Sequence, residues 1–320
     1  MSDKNYPNTP LEDLDLAALR TYSLGSRSSK VSVQDMGQPL GSETSFSDLI
    51  SSLPDILAAK DLKEAAAAIA TARKKGRGVV LGMGAHPLKV GLGLHLVDAI
   101  EKGLFTGIAT NGAAIIHDFE LAVAGMTSED VGAALGSGKF GMAEETAISL
   151  NGAIADGASE GNGIGSSVGE LIEGGRFEHA NLSIFAAATR TKIPATVHVA
   201  IGTDIIHMHP SCDGAATGAA TLTDFLLLAR QVAALDEGVY INLGSAVIMP
   251  EVFLKAFSLA KNLGHQVKNL TTINMDFIQH YRPTVNVLQR PTAGGGRGYA
   301  LTGNHEILLP LLLSAVKELL

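Results

Sequence analysis

Six polar side chains crowd into ten consecutive positions of the chain: Asp204, His207, His209, Ser211, Cys212 and Asp213. Carboxylates hold cations, and imidazoles exchange protons near neutral pH. A thiolate beside an imidazole is a nucleophile with its base. Three chemistries compete for this segment. In an extended chain His207 and His209 lie on one face, as in some metal hydrolases, with Asp204 or Asp213 completing a site. Cys212 beside His209 reads either as a nucleophile or as inert packing. The third reading joins the carboxylates and imidazoles to glycine-rich turns elsewhere: a dinucleotide lies along a sheet edge, beside an acidic pocket for a cationic substrate.

The elements around the segment have to position it. Val197–Ile206 is rich in β-branched residues and reads as a strand, with His198 and Thr203 on it. Gly214 and small residues lead to the apolar run Phe225–Ala234, which reads as a helix. The polar cluster then sits at a strand's carboxyl end, where open α/β sheets bind ligands.

Composition narrows the class. The chain has 320 residues, 46% apolar and only 5% aromatic, with no Trp, which is enough to bury a large core. A net charge of −8 argues against a protein devoted to nucleic-acid backbones. The single cysteine excludes an internal disulfide and fits a reducing compartment. The N-terminus is polar and acidic, and no window is apolar enough to span a membrane. A cytoplasmic protein is expected.

Residues 1–45, with Pro7, Pro10, Pro39, Arg27 and Lys30, read as an N-terminal arm with helical character. It packs on the body or a neighbouring subunit, or reaches an anionic ligand. Residues 46–320 read as one domain. Ser45–Lys74 is helical, with basic residues in its last turn. Val79–Leu81 is a strand, followed by a turn with Gly82, Gly84, His86 and Pro87, then a helix over 88–103. That order offers backbone N–H groups to phosphate, although Pro87 departs from the dinucleotide fingerprint. Phe105–Ala109 is a second strand, leading to Thr110, Asn111 and Gly112, with His117 and Asp118 beyond. Residues 127–175, with Gly161, Gly163, Gly165 and Gly169, read as a long loop or an anion nest. Phe177–Arg190 and Val252–Leu263 are helices. Val239–Leu243, Leu270–Asp276 and Thr284–Gln289 are strands, and Arg290–Glu306 is a loop before a final helix. Strands alternating with helices predict a Rossmann-like parallel sheet covered on both faces.

Several blocks resemble the deoxyhypusine synthase family. MGAHPLKVGLGLHLVDAIEKG resembles its NAD-contacting strand–turn–helix, and ATNGAAIIHDFE its TTAGG segment. IPATVHV followed by GTDIIHMH, YINLGSAVIMPE and LTGNHEILLPLLLSAV resemble three further blocks, across about residues 75–320. The resemblance implies a homotetramer that binds NAD through Gly84, His86, Thr110, Asn111, Gly112, Asn304 and His305. By that resemblance Asp204 would hold the cationic group; the polar cluster itself offers His207 or His209 as the general base, since an imidazole titrates near working pH. The family's Trp-Gly-Lys is missing, and no lysine occurs between Lys268 and Lys317. An arginine such as Arg297 cannot form the family's imine, because guanidinium stays protonated. The expectation is therefore NAD-linked C–N oxidation or aminoalkyl transfer on a small amine or guanidine, not deoxyhypusine synthesis. A metal hydrolase built on His207 and His209 and a non-catalytic nucleotide sensor are the alternatives.

Overall fold

A computed structural model describes residues 15–320, so the Pro7 and Pro10 portion of the arm lies outside the described residues. Apolar, β-branched runs form the middle of the sheet, as expected where both faces are covered, with the buried amides of Asn242 and Asn274 bonded to each other across β4 and β5. The strands are β1 Val79–Met83, β2 Gly107–Asn111, β3 Ala195–His198, β4 Val239–Leu243, β5 Thr271–Asp276 and β6 Arg297–Thr302. They pair in parallel in the order β3-β2-β1-β4-β5-β6. This is the doubly wound order of dinucleotide-binding folds, with its switch point between β1 and β4. Val79 pairs with Val239 there, and Met83 with Leu243.

The helices are α1 Phe46–Ser52, α2 Leu57–Lys74, α3 His86–Lys89, α4 Gly93–Glu101, α5 Gly112–Ala124, α6 Val131–Leu135, α7 Glu144–Ser159, α8 Ile164–Gly174, α9 Ile184–Thr191, α10 Gly214–Ala233, α11 Ile248–Asn262, α12 Tyr281–Pro283 and α13 His305–Glu318. Alternate side chains of β1 divide between two cores. Leu81 and Met83 join Leu62, Ile69, Leu96, Ile115, Phe185 and Leu312 on one face. Val80 joins Leu228, Val232, Tyr240 and Phe253 on the other. None of the helices among the described residues is long and apolar enough to cross a membrane.

Several expected elements change. Residues 15–45 hold only short 3-10 turns, at Leu16–Ala18, Leu24–Ser26 and Val33–Asp35, and bury nothing within them. Pro54 separates α1 from α2, and the helix expected over 88–103 is split into α3 and α4. The expected strand Val197–Ile206 ends at His198, and Ile205–Met208 is a 3-10 turn. Thr284–Gln289, expected to be a strand, is a π-helical turn. Its alternating TVNVLQ has no sheet neighbour, and Asn286 instead donates to Glu251 of α11 (2.8 Å). The sixth strand is β6, inside the stretch expected to be a loop.

The long glycine-rich region is neither a loop nor a nest; it contains α6, α7 and α8. Its glycines permit close contacts. A Cβ at Gly165 would lie 2.1 Å from the carbonyl oxygen of Ala195, and one at Gly169 would lie 2.8 Å from that of Phe185. Gly82 also serves packing and not phosphate, since its Cβ would meet the Tyr240 hydroxyl at 2.1 Å. Tyr240 cannot yield, because its ring stacks on Phe253 at 3.7 Å.

Two buried carboxylates tie helices to the sheet. Asp118 accepts from the Ser183 hydroxyl and from the Ile184 N–H (2.9 Å), and so fixes the start of α9. Asp224 of α10 accepts from the N–H groups of Gly165 (3.0 Å) and Val197 (2.8 Å), joining α8, α10 and β3. Burial pushes the Asp224 carboxyl up to about 7, against the opposing pull of those N–H donors. Its folded value therefore lies above the unfolded value of about 4. Below that pH both states hold the proton and nothing is lost. As pH rises towards 7 the unfolded chain releases its proton first, and stability falls. Asp224→Asn removes this dependence. Urea unfolding at pH 5 and pH 8 is expected to show the wild type losing roughly 2–4 kcal/mol relative to the variant. Parallel pH curves would refute this.

Candidate functional site

The strands' carboxyl ends carry two groups of polar side chains. The first lies at the switch point. Gly84 N–H donates to the Leu243 carbonyl (3.0 Å), and Gly244 N–H to that of Met275 (3.0 Å), so three chain segments converge. A Cβ at Gly84 would lie 2.4 Å from the Gly244 carbonyl oxygen. Gly244 itself has φ +62°, and its Cβ would strike the His305 ring at 2.8 Å. Only glycines permit this approach.

Above them, His86 Nδ1 and His305 Nδ1 are 2.8 Å apart, and Phe277 packs against both rings. His305 is fully buried, with Nε2 3.3 Å from the Met275 carbonyl and 3.6 Å from Asp276. Burial foremost holds its pKa below the ordinary value, with His86 adding to this against the pull of Asp276. A neutral His305 donating from Nε2 has a bare Nδ1, so His86 Nδ1 must be the donor between them. His305 therefore orients His86 from beneath and meets no solvent. The half-buried His86 and the exposed Asn304, at the N-cap of α13, are the groups that face outward.

The second group lies at the ends of β2 and β3. Thr110 is completely buried, and Asn111 leads into α5 at Gly112. A Cβ at Gly112 would lie 2.1 Å from Asp204 Oδ2, so this glycine makes room for the carboxylate. The N–H groups of Gly202 (3.2 Å) and Asp204 (3.3 Å) both donate to His207 Nδ1. The His207 proton accordingly resides on Nε2. Among the described residues four buried atoms here lack a hydrogen-bond partner: Thr110 Oγ1, Asn111 Oδ1, Asp204 Oδ2 and His207 Nε2. A buried polar atom without a partner costs about 1–3 kcal/mol, and the grouping of four at one corner makes it a candidate site. Burial also raises the Asp204 carboxyl above its usual range, opposed by the nearby His207 and by Thr203.

Asp204 lines a cleft of ≈ 590 Å³ together with Lys89, His117, Glu120, Glu129 and Lys139. The cleft walls come from α3, α5, the segment around α6 and the loop after β3. His117 Nδ1 lies 2.7 Å from Thr127 Oγ1, and the Thr127 hydroxyl donates to Glu120 Oε2 (2.5 Å). Glu120 Oε1 also accepts from Thr146 (3.2 Å). Sequence reasoning passed over Lys89, Glu120 and Thr127. The available signal was the His117/Glu120 pair three residues apart, which places both on one helix face.

The remaining members of the opening cluster do other work. His209 Nδ1 is held by the Ser211 hydroxyl (2.8 Å) and N–H (3.1 Å), and Ser211 in turn bonds Asn151 of α7 (3.0 Å). Asp213 caps α10 through the N–H groups of Ala215 and Ala216. The expected pairing of His207 and His209 on one extended face fails, because the chain turns between them and different groups occupy the two Nδ1 atoms. Among the described residues no three His, Cys, Asp or Glu side chains are grouped to hold a metal ion. Arg297 sits at the amino end of β6, paired with Glu64 (2.6 Å), away from the carboxyl edge.

No protein-family model matches the chain, and no curated protein matches it. Solved structures do. A LOR/SDH-type protein of Methanococcus maripaludis S2 is 17% identical with a TM-score of 0.54, covering 94% of this chain and 76% of its own. AgrE, in a ternary complex with ornithine and NAD+, is 16% identical with a TM-score of 0.54 over 81% of this chain. The chain spans about a third of the AgrE polypeptide, since 33% of it is covered. A protein of Entamoeba histolytica described as a deoxyhypusine synthase is 13% identical with a TM-score of 0.51, covering 87% of this chain and 95% of that one.

Proposed function

We propose, from a fold shared with deoxyhypusine-synthase-like proteins, that this chain is an NAD-using enzyme acting on a small amine- or guanidine-bearing metabolite. The unpartnered, buried Asp204 Oδ2 at the cleft carries this reading: a carboxylate desolvated without a partner is poised for a cation. The complexes of AgrE with ornithine and NAD+, and of an AgrE point mutant with L-arginine, support the cofactor and substrate class.

A dinucleotide fits along the strand ends across both groups. At the switch point Gly84 keeps side chains out, His86 and Asn304 offer polar atoms, and His305 positions His86. At the end of β2, Asn111 offers its amide and Thr110 an unpaired hydroxyl. NAD, when bound, would supply a hydride acceptor for C–N bond oxidation or the first stage of an aminoalkyl transfer. The chain's own residues do the rest. Asp204 holds the ammonium or guanidinium. His207, with its proton on Nε2, is a donor in this arrangement and not the expected base. His209, tied to Ser211, supports the turn that carries both. Deoxyhypusine synthesis is not proposed, because the region corresponding to the family's imine-forming lysine has none between Lys268 and Lys317.

A homotetramer fits the residues before α1, where Leu16, Leu19, Tyr22, Leu24 and Val33 are exposed. The single cysteine fits a cytoplasmic setting, and the acidic charge argues against a nucleic-acid partner. Native mass spectrometry with NAD titration is expected to show a tetramer that takes up NAD, and L-ornithine or L-arginine is expected to produce reduced cofactor. Uptake without turnover would favour a sensor. Zinc-bearing protein indifferent to NAD would sink the reading.

A further inference from the structure

We propose that Glu120 and Thr127 hold His117 as a neutral hydrogen-bond acceptor whose Nε2 meets the cationic group of the ligand in the cleft. This rests on the amine-binding reading above and adds a residue to it. The argument is a proton count. A threonine hydroxyl has one proton, and Thr127 gives it to Glu120, which accepts a second hydroxyl from Thr146 and so behaves as a carboxylate. Towards His117, Thr127 can then only accept, so His117 Nδ1 carries a proton. In the neutral ring Nε2 is left with a bare lone pair.

The charged groups around the ring favour that neutral form. Burial first, and then Lys89 of α3, lower the His117 pKa to about 4. Glu120 on its own helix, Glu129 and Lys139 beside α6, and Asp204 after β3 complete the lining. The acceptor therefore survives throughout the neutral range. An ammonium or guanidinium held by Asp204 offers further N–H groups to it, and a hydrogen bond to a charged partner is worth about 1.5–3 kcal/mol. Glu120 and Thr127 are positioning residues, because they reach the ligand only through the imidazole.

Nitrogen-15 NMR of the full chain tests the assignment. His117 is expected to show the Nδ1–H tautomer at neutral pH and no titration near the ordinary value of about 6.5. Saturation with L-ornithine should move its Nε2 resonance, and His117→Ala should weaken L-ornithine binding about tenfold. Thr127→Val should raise the titration midpoint by about one pH unit, as the ring pairs with Glu120 directly. That readout stands even if His117→Ala fails to fold. A proton on Nε2, or titration near the ordinary value, overturns the proposal. If L-ornithine binds while His117 stays silent, the acceptor falls and the amine-binding reading survives. If His117 responds but NAD is neither bound nor reduced, the enzyme reading falls and the acceptor stands. No L-ornithine binding in any state overturns both.

Discussion

Asp204→Ala is expected to weaken binding of a cationic ligand such as L-ornithine by at least about 30-fold, while leaving the free protein as stable as before or more so. The two halves of this result have one cause. Removing a carboxylate that pairs with a desolvated cation costs about 2–5 kcal/mol of binding. In the free protein the same carboxylate is buried, has one oxygen without a partner and titrates above its usual range because of burial. A folded pKa above the unfolded one means the group opposes folding. That opposition is absent below the unfolded pKa and grows as pH rises through the folded one. Asp204→Asn, which keeps the shape, should therefore stabilise the protein at pH 8 and do nothing at pH 3. Isothermal titration and urea unfolding of the same samples check both halves. A variant that binds normally removes Asp204 from the site; one that simply unfolds makes Asp204 a structural residue.

Gly84→Ala should be the most damaging small change at the switch point. The added Cβ would lie 2.4 Å from a backbone oxygen of Gly244, and 3.2 Å from its carbon. Backbone cannot swing aside as a side-chain tip can, so β1 and β4 must separate where they deliver the site. A loss of about 3 kcal/mol is expected in chemical denaturation, at the upper end for overpacking. NAD uptake should fail even under conditions where the variant stays folded. Gly218→Ala, in the second turn of α10 with open space around its Cβ, is the control and should be neutral or stabilising. Equal effects at the two positions would refute the argument.

Much of the scaffold was legible because parallel strands buried on both faces must be apolar along their whole length. β1 and β4 fall where such runs predict them, whereas β5, TTINMD, was marked by its β-branched residues and buries Thr272, Asn274 and Asp276. β6 was not legible, because at the sheet edge its exposed positions are Arg297, Gly298, Ala300 and Thr302, which read as part of a glycine-rich loop. The reverse error at Thr284–Gln289 arose from an alternation that matches a strand but has no neighbour to pair with. Glycine misled most in α8, where Gly165 and Gly169 serve helix contacts that depend on chain segments distant in sequence. Around the site, the crowding of Asp204 and His207 marked the right corner. It could not separate His209, whose partner Ser211 is two residues away, from His207, whose partners are backbone amides. Nor could it reveal the link from His117 to Glu120, which passes through a threonine hydroxyl in the following loop.

The contact between His86 and His305 spans 219 positions of the chain. Parallel strands cannot pair through a tight turn, and such long-range closures come late because loop entropy opposes them until the sheet is built. The switch-point corner thus exists only when the last helix, α13, has brought His305 onto the turn after β1. A chain still emerging during synthesis, or truncated before α13, has β1 and its turn yet lacks this corner. On the proposed reading, uptake of a dinucleotide there would be a proofreading mark of completed folding.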